Sequence, residues 1–105
     1  MKTKGGPAAF DKVIGNRIRE LRTATGMKQH DVAGHINVSF QQFQKYEAGI
    51  NRVAASILFG ICKALDVSIA DFFKEIEEEG IKIYQRSKNS RASSAKTRKK
   101  KPRRK

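Results

Sequence analysis

Four features are scarce or missing in this chain, and each absence removes a class of protein. Cysteine occurs once, at Cys62, so no internal disulfide can staple the fold, and a reducing compartment suits it. No apolar run approaches the roughly 18 residues of a membrane span, and the first residues lack the apolar core of a signal peptide. These absences give the expectation of a soluble, cytoplasmic protein that touches no membrane. No nucleophile sits near a base, no glycine-rich loop is built for phosphate, and no ligand cluster suits a metal. Neither enzymatic activity, nor a cofactor, nor a small-molecule substrate is therefore expected. The two histidines, His30 and His35, are five apart and do not share a helix face, and nothing nearby completes a ligand set. Both are expected to be exposed.

The fourth absence is local. Residues 86–105 contain no acid but 11 lysines and arginines, whereas residues 1–85 hold 12 basic and all 10 acidic side chains. The net charge of +13 thus divides into +2 on the larger part and +11 on the last twenty residues. Apart from two alanines that segment has no apolar residue but one proline, so it cannot join a core and is expected to be a disordered tail. Its basic residues are Arg86, Lys88, Arg91, Lys96, Arg98, Lys99, Lys100, Lys101, Arg103, Arg104 and Lys105. Such a run attracts a polyanion, nucleic acid above all, over screened distances and without regard to sequence.

What remains is one domain of about 65–75 residues, near the lower size at which a single core suffices. Residues 1–10 (MKTKGGPAAF) carry a Gly-Gly-Pro break and no periodicity, and read as a flexible arm ahead of a domain over 11–80. Asp11 caps a first helix running to about Thr25, with Ile14, Ile18 and Leu21 facing inward and Arg17, Arg19 and Arg22 on the remaining surface. Gly26 suits the left-handed residue that ends it. A helix over about 54–65 turns Ile57, Leu58, Ile61 and Leu65 inward. Ser68 then caps another bearing Ile69, Phe72, Phe73 and Ile76. Glu75 and Glu77 to Glu79 lead to Gly80, an expected stop. Residues 81–85 (IKIYQ) alternate as a short strand does, either pairing with a second subunit or folding back on the core.

The chain is organised around residues 29–48, QHDVAGHINVSFQQFQKYEA. Val32 and Ile36 keep one helical spacing, Phe43 and Tyr46 another, and Asn37 marks the break between them. Ser39 offers an N-cap hydroxyl, with Gln42 three residues on. Ala33, the turn at Asn37 and the inward positions fall into register together. This pattern resembles the helix-turn-helix of the phage-repressor (lambda-repressor-like) or XRE-type transcriptional regulators, over roughly residues 14–73. The resemblance implies an all-α, five-helix DNA-binding domain whose third helix, about 40–47, enters the major groove. It also implies a structural ion pair between Arg22 and Glu47.

The same resemblance assigns base reading to Phe40, Gln41 and Lys45, flanked by Gln42 and Gln44, with Ser39 opening the helix. Gln41 has the amide geometry for adenine N6 and N7, Lys45 can donate to guanine O6 and N7, and Phe40 can lie against a thymine methyl. Relatives that carry Gln in place of Phe40 pair it with the Gln that opens the preceding helix; Phe40 removes that pair. Gln29 is the expected phosphate contact, helped by backbone N–H groups, with Lys28, Asn51 and Arg52 as further contacts. Lys28 stands where the family has a Ser or Thr cap, so that helix starts poorly capped.

The expected function is a homodimeric, sequence-specific repressor of transcription that binds double-stranded DNA on the nucleoid. Its recognition helices would lie about 34–36 Å apart. Two other readings compete: an architectural protein that coats nucleic acid through its tail, and an antitoxin-type repressor that binds a partner protein.

Overall fold

A computed structural model describes residues 6–87, with side chains described through residue 85. Six helices follow one another: α1 (Pro7–Thr25), α2 (Gln29–His35), α3 (Phe40–Ala48), α4 (Ala55–Leu65), α5 (Ile69–Lys74) and α6 (Glu77–Ser87). Among the described residues the chain is all-helical, with one helix more than the expected five.

The caps explain most of the boundaries. Gly26 (φ 81°) and Gly49 (φ 76°) end α1 and α3 in the left-handed conformation, and Asn37 (φ 59°) forms the turn after α2. Ser39 and Ser68 each accept a backbone N–H three residues on, from Gln42 and Asp71, both at 3.0 Å. Asp66 (φ 59°) closes α4. The core that these ends enclose is built from Ile18, Val32, Phe43, Ile61, Leu65 and Phe72, with Cys62 among them. Burial pushes the Cys62 thiol up from its ordinary value, the charge of Arg17 opposing. The group is held as a small packing residue.

Two expectations about the chain ends are corrected. The first helix begins at Pro7, not Asp11. Gly6 supplies a positive φ and Pro7 occupies the first turn, where its missing N–H costs nothing. The Gly-Pro step is thus a helix start rather than a break, and Phe10, four residues before Ile14, belongs to the same apolar stripe. Residues 81–85 are not a strand but lie within α6, and Gly80 does not stop the chain. Ile76, Gly80 and Ile83 keep helical spacing, and three glutamates favour the positive helix start. Gly80 is small because Phe10 sits against it: a Cβ there would lie 3.0 Å from the Phe10 ring.

Arg17 does not decorate the surface, as its helix position suggested. Its Nε donates to Phe72 O at 3.3 Å and its Nη2 to Asp71 O at 3.4 Å, with the guanidinium 5.9 Å above the Phe72 ring. It fastens the last turns of α5 to α1, where a cation also meets the negative helix end.

Candidate nucleic-acid interface

The candidate interface is assembled from α2 and α3, and its foundation is α1. At Gly15 the backbones of α1 and α3 nearly touch: an added Cβ would lie 2.6 Å from Glu47 O and closer still to Tyr46 O. That approach places Arg22 beside Glu47. Arg22 Nε donates to Glu47 Oε2 at 2.6 Å and Nη2 to Oε1 at 3.2 Å, while Nη1 donates to Met27 O at 3.0 Å. Their side chains are only 13% and 5% exposed. A desolvated two-point pair of this kind holds orientation, and removing either partner strands a buried charge.

From Glu47 a chain of amides runs outward. Gln29 Nε2 donates to Glu47 Oε1 at 2.8 Å, and Gln44 Nε2 reaches Gln29 Oε1 at 3.5 Å. The side chain of Gln29, expected at a phosphate, is therefore turned inward as a link between helices. One residue on, the His30 imidazole stacks on the Phe40 ring, centroids 4.0 Å and planes 11° apart. So the first two residues of α2 hold Phe40 and Gln44, which lie one turn apart on a single row of α3. Gln41 and Lys45 form the neighbouring row. Both are exposed, and neither makes a side-chain hydrogen bond or ion pair among the described residues.

The remaining residues singled out in the sequence are dispersed around these rows. Ser39 is engaged as the cap of α3, and Gln42 behind it is half-buried. Lys28 is exposed at the start of α2; its backbone N–H donates to Asp31 Oδ2 at 3.0 Å, but its ammonium offers no acceptor to complete the box. Arg52 is already paired, its Nε 2.9 Å from Asp11 Oδ2, and ties the loop after α3 to α1. Asn51 in that loop is half-buried, its N–H donating to Lys45 O at 3.3 Å. Arg86 lies in α6, and the tail from Lys88 onward is outside the described residues.

His30 is the residue that sequence reasoning missed. It is exposed, as expected, and it also meets the residue that opens α3. The signal was present in the expected pairing between the start of the second helix and position 40: when Gln gives way to Phe40, a ring on α2 becomes its natural neighbour. His35, by contrast, meets its own helix, Nδ1 lying 2.9 Å from Asp31 O.

This arrangement can be set beside known proteins. A helix-turn-helix family model matches residues 18–72. The chain is 51% identical over 67 residues to an uncharacterized transcriptional regulator in the ATPase CF(0) region of Rhodospirillum rubrum, covering 64% of this chain and 62% of that one. Among solved structures it is similar to the restriction-modification controller protein C.AhdI from Aeromonas hydrophila. That likeness has 29% identity and a TM-score of 0.59, and covers 62% of this chain and 98% of that one. It is also similar to the controller protein C.Esp1396I, a tetramer in complex with its natural 35 base-pair operator. There identity is 25% and the TM-score 0.61, over 68% of this chain and 93% of that one. The chain spans about half to three fifths of the length of the curated relatives it matches. Among the described residues no helix is long and apolar enough to cross a membrane.

Proposed function

This chain belongs to the XRE-type helix-turn-helix family, and from that premise we propose that it is a sequence-specific DNA-binding regulator of transcription rather than an enzyme. It acts as a repressor, occupying an operator on the nucleoid of the cytoplasm. The single observation that carries the reading is the pair of rows on α3. A helix braced from behind by Arg22, Glu47 and Gln29 presents Phe40, Gln41, Gln44 and Lys45 outward. Donors, acceptors and an apolar face spaced by one helical turn are what a major groove reader needs. Gln41 addresses adenine and Lys45 guanine, while Lys28 and Asn51 meet phosphates. Arg52 exchanges Asp11 for a phosphate on binding.

Dimerisation belongs to the same proposal. Ile81 and Tyr84 are 47% and 46% exposed on α6, and an apolar edge there suits a second copy. The C.Esp1396I controller, which is similar in fold, was seen as a tetramer on its operator. Selecting bound duplexes from a random pool tests the reading. A preferred sequence bound about 10³-fold more tightly than random duplex supports it; a preference below about tenfold overturns it.

One observation favours an architectural contribution beside the specific one. The last twenty residues carry +11, and each phosphate they neutralise adds about −0.9 to the slope of log affinity against log salt. Deleting residues 88–105 should flatten that slope and leave the preferred sequence unchanged. Loss of the preference on deletion would make the tail, not α3, the reader.

A further inference from the structure

Phe40 opens α3, where a side chain meets base edges, yet it has no donor or acceptor to read them with. Its ring is nevertheless fixed in place. His30 lies over it nearly parallel, 4.0 Å between centroids, and His30 stands on a turn whose own start is fastened by Asp31 to the Lys28 N–H at 3.0 Å. Gln29, its neighbour, is tied to Glu47 and so to the core. The two rings come from different helices, and the start of α2 that carries His30 is fastened on both sides of Gln29. Phe40 is half-buried and His30 exposed, so the stack is partly open to solvent, and Gln41, the next residue of α3, is exposed as well.

A fixed apolar edge in a major groove has one natural target. Of the four base pairs viewed from that side, only those with thymine carry an apolar group, the methyl on pyrimidine C5. Cytosine has a hydrogen there. In 5-methylcytosine the methyl sits on the same ring carbon, so an edge that recognises it by contact alone does not tell that base from thymine. A lone phenylalanine on an exposed turn would swing aside and follow either pyrimidine. A ring clamped by a second ring cannot, and a missing methyl leaves a gap beside it.

We infer that His30 and Phe40 together form a reader of C5-methylated pyrimidines, His30 acting as the positioning residue and Phe40 as the contact. The pair accepts thymine and 5-methylcytosine and disfavours uracil and cytosine. The inference rests on α3 being the major-groove helix, and adds a second wall to the site and a sensitivity to cytosine methylation.

The test uses the full chain and its selected operator. Each thymine is replaced singly by deoxyuridine, which removes the methyl and nothing else. At least one thymine per half-site should then lose about fourfold in affinity, the worth of one CH₂ group withdrawn from water. With cytosine and its guanine partner placed at that position, methylating C5 should restore about fourfold. Both effects should shrink below about twofold in Phe40→Ala and in His30→Ala, while preferences elsewhere in the operator persist. His30→Phe keeps two stacked rings and should keep wild-type methyl sensitivity, which a merely structural role for His30 does not require. Three results overturn the inference: no thymine responding to methyl removal in the wild type, full sensitivity in His30→Ala, or its loss in His30→Phe. A random pool that yields no preferred duplex overturns the regulator reading itself, and this inference with it.

Discussion

The two rows on α3 are held differently. Phe40 and Gln44 are each met by a side chain from α2, His30 and Gln29; Gln41 and Lys45, one residue further on, stand exposed. Both rows share the same anchor, the Arg22–Glu47 pair. The difference matters energetically. A braced side chain gives up its rotamer freedom when the protein folds, so it loses less when DNA arrives; an unbraced one keeps that freedom and can adjust to a base edge. Under the proposed function, the braced row supplies shape and the unbraced row supplies hydrogen-bond readout.

The largest expected effect comes from removing what the rows share. Glu47→Ala strands a buried guanidinium and should destabilise the domain by about 3–5 kcal/mol in urea unfolding. Replacing both partners by methionine should recover most of that loss. A cost below about 1 kcal/mol for the single change would show that the anchor is not needed.

Next come the residues that separate the rows. Gln41→Ala and Lys45→Ala should each lose about 1–3 kcal/mol of discrimination at one base pair, with the unfolding midpoint unmoved. Gln29→Leu should do the reverse. It breaks the amide chain, costing about 0.5–1.5 kcal/mol of stability, and leaves the preference at the Gln41 position intact. If Gln29→Leu relaxed base preference as much as Gln41→Ala, the distinction between rows would fail.

The smallest effect sharpens the picture at the start of α2. Lys28 caps nothing with its side chain, so Lys28→Ser should stabilise by about 1 kcal/mol by adding the missing acceptor. Under the proposed function, in which Lys28 meets a phosphate, the same change should also reduce the salt slope of DNA binding by about 1. An unchanged slope would remove Lys28 from the interface.

How far the fold could be read in advance follows from the range of the forces involved. Local signals survived translation into structure: the stripes through Ile14 and Ile18 and through Ile57 and Ile61, the turn at Asn37, and the caps at Ser39 and Ser68. Each depends on contacts within a few residues. Two of the failures, at Gly80 and Arg17, involve partners that are distant in the chain, whereas the start at Pro7 and the helix through residues 81–85 rest on local signals. Gly80 looked like a stop because its reason for being small is Phe10, seventy residues away. Residues 81–85 were too few for their alternation to outweigh the spacing of Ile76, Gly80 and Ile83. Arg17 looked like surface until α5 folded over it, offering the carbonyls of Asp71 and Phe72.

The site shows the same division. The positions on α3 followed from its register, whereas what α2 does to them did not. Gln29 reaches Glu47 across eighteen residues and His30 reaches Phe40 across ten, both through the turn at Asn37. Periodicity within a helix says which face is outward; it does not say which outward residue a neighbouring helix will catch.

The most direct test of the central claim is a competition titration of the selected operator against a scrambled duplex, comparing the wild-type chain with Gln41→Ala/Lys45→Ala. The account predicts that preference for the operator falls roughly a hundredfold or more while affinity for the scrambled duplex stays the same. An unaltered preference in that double variant would contradict it.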